Sequence, residues 1–88
     1  MPTAIIPALL RKYTGGRERI DLKARNVREV IAELNRQFPG IAESLIEAGD
    51  LRHSVAVSID GEIATNGLLE PVGESSEVHF LPALGGGT

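Results

Sequence analysis

The sequence predicts an α+β domain: a mixed sheet of four to five strands with one main helix packed on one face. Two observations carry this. A single long segment has an apolar stripe at the 3.6-residue period, Val27, Val30, Ile31, Leu34 and Phe38. The segments on either side alternate polar and apolar residues at the two-residue period of a half-buried strand. A pair of strands, a crossing helix and then further strands give a helix layered on a sheet.

Each element follows from local chemistry. Residues 3–9 are apolar and partly β-branched, which predicts a first strand running into Pro7. Tyr13-Thr14-Gly15-Gly16 is a turn signal. Beyond it, Glu18 to Lys23 alternates, with Ile20 and Leu22 facing one way, so the two strands form a hairpin. Asn26 followed by Glu29 has the form of a capping box, and Pro39-Gly40 stops the helix. Ile41 to Ala48 is expected to form a second, shorter helix ended by Gly49. Arg52 to Ile59 alternates again, with Val55, Val57 and Ile59 on one face and Ala56 and Ser58 on the other. Asp60-Gly61 is a hairpin turn dipeptide. Ile63 to Leu69 reads as a short edge strand broken at Asn66-Gly67, and Pro71-Val72-Gly73 as a loop. Ser76 to Leu81 is the last strand, stopped by Pro82.

Composition narrows the function. At 88 residues the chain is one domain with a small core of mostly Ile, Leu and Val, since its aromatic residues are only Tyr13, Phe38 and Phe80. It has no cysteine, hence no disulfide framework, thiolate metal site or cysteine nucleophile. The net charge of −3 and the lack of a basic stripe interleaved with aromatics argue against a nucleic-acid partner. No apolar run reaches membrane-spanning length, and Met1 to Pro7 lacks the length and basic flank of a signal peptide. The expected location is cytoplasmic, with no membrane partner.

The chain closes on Leu84-Gly85-Gly86-Gly87-Thr88. Terminal glycines add nothing to packing and cost the most entropy to order. Such an end is either slack or built to thread a narrow channel, where the absence of side chains lets the backbone approach another surface.

Several segments together resemble the MoaD/ThiS family of ubiquitin-like sulfur carrier proteins. They are Ile6-Pro7-Ala8-Leu9-Leu10-Arg11-Lys12-Tyr13-Thr14-Gly15-Gly16, Asn26 to Leu34, Val57-Ser58-Ile59-Asp60-Gly61-Glu62, and Phe80-Leu81-Pro82-Ala83-Leu84-Gly85-Gly86-Gly87. The order of elements is also that of the β-grasp, or ubiquitin-like, fold. The resemblance implies a β-grasp domain over 1–82 and a flexible glycine-rich tail over 83–88. It implies a carrier rather than an enzyme, with no bound cofactor. A partner resembling ubiquitin-activating enzymes uses ATP to adenylate the terminal glycine. Sulfur then displaces AMP, and the resulting thiocarboxylate serves a sulfur-accepting synthase. By position the reactive residue is Gly87, with Gly86 beside it.

Thr88 departs from the family pattern, whose active form ends at glycine. The expectation is that a C-terminal peptidase cuts between Gly87 and Thr88; a cut after Gly86 is the alternative. The family docks through the exposed sheet face near its last strand, which points here to Leu81, Pro82, Leu84 and Gly85, with Leu9 as a further candidate. Leu81 reads equally as buried core. Arg11 and Lys12 are candidates for steering an acidic partner, or are ordinary solvated charges.

The remaining polar residues suggest no chemistry. His53 and His79 are isolated, and His79 alternates with Val78 and Phe80 so as to face solvent. Thr14-Gly15-Gly16 lacks the Lys-Ser/Thr of a phosphate-binding loop. No nucleophile is paired with a positioned base. Two rival readings stand beside the carrier: a ubiquitin-like modifier joined to target lysines, and a β-grasp interaction module with an inert tail. For a carrier, cysteine or amino-acid sulfur assimilation and molybdopterin synthesis are the pathways favoured.

Overall fold

A computed structural model of the chain describes residues 1–82. The five main strands of those residues are β1 (Thr3–Ile5), β2 (Arg19–Asp21), β5 (Val55–Ile59), β6 (Glu62–Ile63) and β7 (Glu77–Pro82). They form one mixed sheet in the order β2-β1-β7-β5-β6. The central strands β1 and β7 run parallel, and every other pairing is antiparallel. A separate two-stranded ribbon joins β3 (Ile46–Glu47) to β4 (Asp50–Leu51). Helix α1 (Val27–Gln37) crosses one face of the main sheet. This is the β-grasp arrangement.

Helix α1 begins where its capping residue predicts. Asn26 Oδ1 accepts the Glu29 N–H at 2.9 Å, satisfying an amide that the first turn leaves open. The returning carboxylate differs from the capping-box expectation. Glu29 Oε1 accepts the Arg25 N–H at 2.8 Å, one residue before the cap, and Oε2 pairs with the Arg25 guanidinium at 3.4 Å. One residue thus offers the carboxylate both donors. Val27, Val30, Ile31 and Leu34 are buried, and Phe38, half-buried, closes the helix as its C-cap. Gly40 follows at φ +103°, a left-handed conformation that favours glycine.

The apolar stripe of α1 packs on Ala4, Ile20, Val57, Val78 and Phe80 from the sheet, while Ile41, Leu45, Leu68 and Val72 close the edges. Cross-strand register explains the sheet's contribution. Val78 stands opposite Ala4 and Ile59, and Phe80 opposite Val57, so these side chains share one face.

Three expectations are corrected. The first strand ends at Ile5 rather than continuing towards residue 9. Residues Ala8–Leu10 form a 3₁₀ turn closed by the Leu10 N–H donating to the Pro7 carbonyl at 2.9 Å. The second helix is only a 3₁₀ turn, Ile41–Ser44, because Ala48 and Gly49 adopt φ of +54° and +82° and reverse the chain between β3 and β4. Two successive left-handed residues make a hairpin turn and cannot continue a right-handed helix. Finally, the last strand, expected to end at Leu81, takes in Pro82, which pairs opposite Val55.

Candidate functional site

The candidate site is the end of the sheet from which the glycine tail departs. Strand β7 delivers the chain there, and its alternation sorts the residues it carries. Val78 and Phe80 are buried under the helix, whereas Glu77, His79 and Leu81 face the opposite, open side. Leu81 is 38 % exposed against 3 % for Phe80, so it belongs to the open face and not to the core. Pro82 is exposed beside it. Leu84, Gly85, Gly86, Gly87 and Thr88 lie outside the described residues.

Pairing extends the open face across the neighbouring strands. Ala56 stands opposite Leu81, Ser58 opposite His79 and Ile63, and Ile5 opposite His79. Ile63 is 60 % exposed. The centre is therefore a mixed patch of Ile5, Ala56, Ile63 and Leu81 around His79. A charged rim flanks it: Glu77 Oε1 lies 2.9 Å from His79 Nε2, and Glu77 Oε2 pairs with Arg19 at 3.1 Å. The hydrogen bond from His79, then that from Arg19, hold the Glu77 carboxyl below its usual range. Asp60 is likewise lowered, first by the Glu77 backbone N–H that its Oδ1 accepts at 2.9 Å, then by Ser76.

Around the end of β7 the open face continues into a groove of about 540 Å³. It is lined by Pro7, Leu9 and Leu10 at the 3₁₀ turn, by Leu81 and Pro82 at the end of β7, and by Leu45, Val55 and Phe80. Leu9 is 84 % exposed. Its turn is well anchored. Arg11 Nε donates to the Ile6 carbonyl at 3.1 Å, and its guanidinium lies 3.6 Å from Glu18. The buried Thr14 hydroxyl donates to the Arg17 carbonyl at 2.8 Å, and Gly15 and Gly16 take positive φ to close the loop. On the far rim, Arg52 Nε donates to the Glu43 carbonyl at 2.9 Å.

The structure thus brings together three residues singled out in the sequence, Leu9, Leu81 and Pro82. Ile63 was missed. The Asp60-Gly61 turn was the signal, because a two-residue loop forces Ser58 opposite Ile63 and places Ile63 on the open face. His79 is partly exposed, as alternation implies, and His53 is exposed. Among the described residues no group of three His, Cys, Asp or Glu side chains is placed to hold a metal ion, and no helix is long and apolar enough to cross a membrane.

Comparison with known proteins agrees with this geometry. The ThiS family matches residues 4–87. The sulfur carrier protein CysO of Mycobacterium tuberculosis is 30 % identical over 90 residues, covering 97 % of each chain. The crystal structure of an Amycolatopsis orientalis BexX/CysO complex contains a chain that superposes with a TM-score of 0.90 at 28 % identity, over 96 % of this chain and 97 % of that one. The small archaeal modifier protein 1 of Methanosarcina acetivorans superposes with a TM-score of 0.80 at 25 % identity, over 98 % and 95 %. The family match spans the β-grasp body and the closing glycines alike, and this chain belongs to the MoaD/ThiS family of ubiquitin-like sulfur carrier proteins.

Proposed function

We propose that the chain is a sulfur carrier whose C-terminal Gly87, exposed by removal of Thr88, is adenylated and then converted to a thiocarboxylate. The observation that carries this reading is the end-to-end similarity to CysO, which takes in the closing glycines. The similarity also favours cysteine or amino-acid sulfur assimilation over molybdopterin synthesis as the destination of the sulfur.

The division of labour follows from the residues. The body supplies no general acid, base or nucleophile for the reaction. It supplies a docking face, Leu9, Leu81 and Pro82 with Leu84 and Gly85 beyond them, and a thin reactive end. An adenylating enzyme resembling ubiquitin-activating enzymes uses ATP and supplies the orientation of Gly87. A sulfur-accepting synthase then takes the sulfur. A peptidase that removes Thr88 completes the set of partners.

Similarity to the archaeal modifier protein supports a second reading, in which the activated glycine is joined to lysines of other proteins. The products separate the two. Native-host extracts containing tagged chain are resolved on a gel that retards thiocarboxylates and are also probed for high-mass conjugates. A retarded free carrier supports sulfur transfer, and a conjugate ladder without it supports the modifier. Neither product, together with full activity after deletion of Gly86 to Thr88, would leave an interaction module with an inert tail.

A further inference from the structure

An exposed leucine serves docking only if the backbone beneath it is held still. Leu9 is 84 % exposed, in the middle of the short 3₁₀ turn Ala8–Leu10. Two backbone hydrogen bonds close that turn: the Leu10 N–H donates to the Pro7 carbonyl at 2.9 Å, and the Arg11 N–H to the Ala8 carbonyl at 3.3 Å. Turns of this kind have poorer hydrogen-bond geometry than an α-helix, and one this short does not hold a single shape in water unaided.

The two ends of the turn are fixed. Ile6 is buried before it, with its N–H donating to the Glu18 carbonyl at 2.8 Å. After it, the Arg11 carbonyl accepts the N–H groups of Thr14 at 3.1 Å and Gly16 at 2.9 Å. The Arg11 side chain then reaches from the second anchor back to the first, where its Nε donates to the Ile6 carbonyl at 3.1 Å. Pro7, Ala8, Leu9 and Leu10 are thereby enclosed in a ring with Arg11 as its clasp. The same geometry argues against Arg11 as a steering charge. Its guanidinium lies 3.6 Å from Glu18, and its side chain is only 35 % exposed.

We propose that Arg11 is a positioning residue for the docking groove, acting through Leu9. This rests on the proposed docking of the adenylating enzyme at Leu9, Leu81 and Pro82. Without the Nε bond the turn samples shapes in which Leu9 leaves the groove lining. A partner then binds only the fraction of chains with Leu9 in place, and its apparent affinity falls by that fraction. Arg11 touches no reacting atom, so the effect falls on binding and leaves the chemical step alone.

The test uses chain ending at Gly87 with the host's adenylating enzyme, and reads the carrier concentration giving half-maximal ATP–pyrophosphate exchange. Arg11→Met keeps the aliphatic stem and removes the donor. It should raise that concentration about fivefold with kcat unchanged, the competent fraction having dropped to about one fifth. Arg11→Lys restores a donor and should recover most of the loss. The loss should persist at high salt, where steering by an exposed charge fades. Glu18→Gln, which removes only the ion pair, should saturate like the parent. In a Leu9→Ser background Arg11→Met should add nothing, because the residue it positions is gone. Urea unfolding checks that each variant folds; if Arg11→Met does not, Arg11→Gln, whose shorter stem cannot span the turn, takes its place. Amide exchange of the chain alone gives a second reading. Protection of the Leu10 N–H should fall in Arg11→Met, while that of Leu22, whose N–H donates to the Pro2 carbonyl at 3.1 Å, stays. A loss that adds to that of Leu9→Ser, a loss that vanishes at high salt, no loss at all, or unchanged Leu10 protection would each overturn the proposal. A parent chain that supports no exchange overturns the carrier reading with it, so the two failures are told apart.

Discussion

Replacing Leu9 and Leu81 singly by serine probes the docking surface with opposite demands on stability and binding. Fully burying a leucine side chain is worth about 1.5–3 kcal/mol. Leu9 is 84 % exposed, so a partner that covers it gains about 1.3–2.5 kcal/mol, while the fold derives only the small remainder. Leu81 is 38 % exposed, leaving about 0.6–1.1 kcal/mol for a partner and the larger share for the fold. At 1.4 kcal/mol per factor of ten, Leu9→Ser should weaken the adenylating enzyme's hold on the carrier about 8- to 60-fold, and Leu81→Ser about 3- to 6-fold. Stability should move the other way, with Leu81→Ser the costlier change. The assay is the carrier concentration giving half-maximal ATP–pyrophosphate exchange, paired with urea unfolding of each variant. Unchanged binding in Leu9→Ser, with a fold as stable as the parent, would refute the assignment of the groove as a docking surface.

Two further outcomes follow from the fold. Asn26→Ala removes the side-chain acceptor of the Glu29 N–H and should lower the unfolding free energy by about 1 kcal/mol, read as a fall in urea midpoint without change of slope. Stability should also fall in acid. Glu77, Asp60 and Glu29 all have folded pKa values lowered from the ordinary carboxylate values of 4.5, 3.8 and 4.5. Their contribution is therefore present above those unfolded values and is lost as the pH drops below about 4.5 through the lower folded ones. Urea midpoints measured at falling pH should decline, and Glu77→Gln should flatten part of that decline; an unchanged midpoint down to pH 3 would contradict the assignment.

Much of the architecture was legible because period and turn chemistry agree in most segments. The stripe from Val27 to Phe38 has one interpretation, and Asn26 marks its start. Ile20 and Leu22 announce the face of β2, and both are buried. Reading failed where backbone conformation outweighed pattern. Ile41, Leu45 and Ile46 have helical spacing, yet Ala48 and Gly49 enter the left-handed region and make a ribbon. Alanine favours helices intrinsically, so nothing local signals that choice. The strand expected over residues 3–9 stops at Ile5, because Pro7 offers a carbonyl to a local turn and no N–H to a ladder.

The site was legible in part. Alternation put His79 in solvent and by parity Leu81 with it, yet a leucine next to the closing proline reads equally as core, so that implication was not drawn. Register settles it: Leu81 is paired with Ala56, whereas Phe80 is paired with buried Val57. The groove could not have been read from sequence, because Leu9, Leu45, Val55 and Pro82 come from four separate segments.

Intact-protein mass spectrometry of the chain purified from its native host tests the central claim most directly. The account predicts a species lacking Thr88 in which one terminal oxygen is replaced by sulfur. Only the full-length mass, unchanged after incubation with the host's adenylating enzyme, processing extract, ATP and a sulfide source, would contradict it.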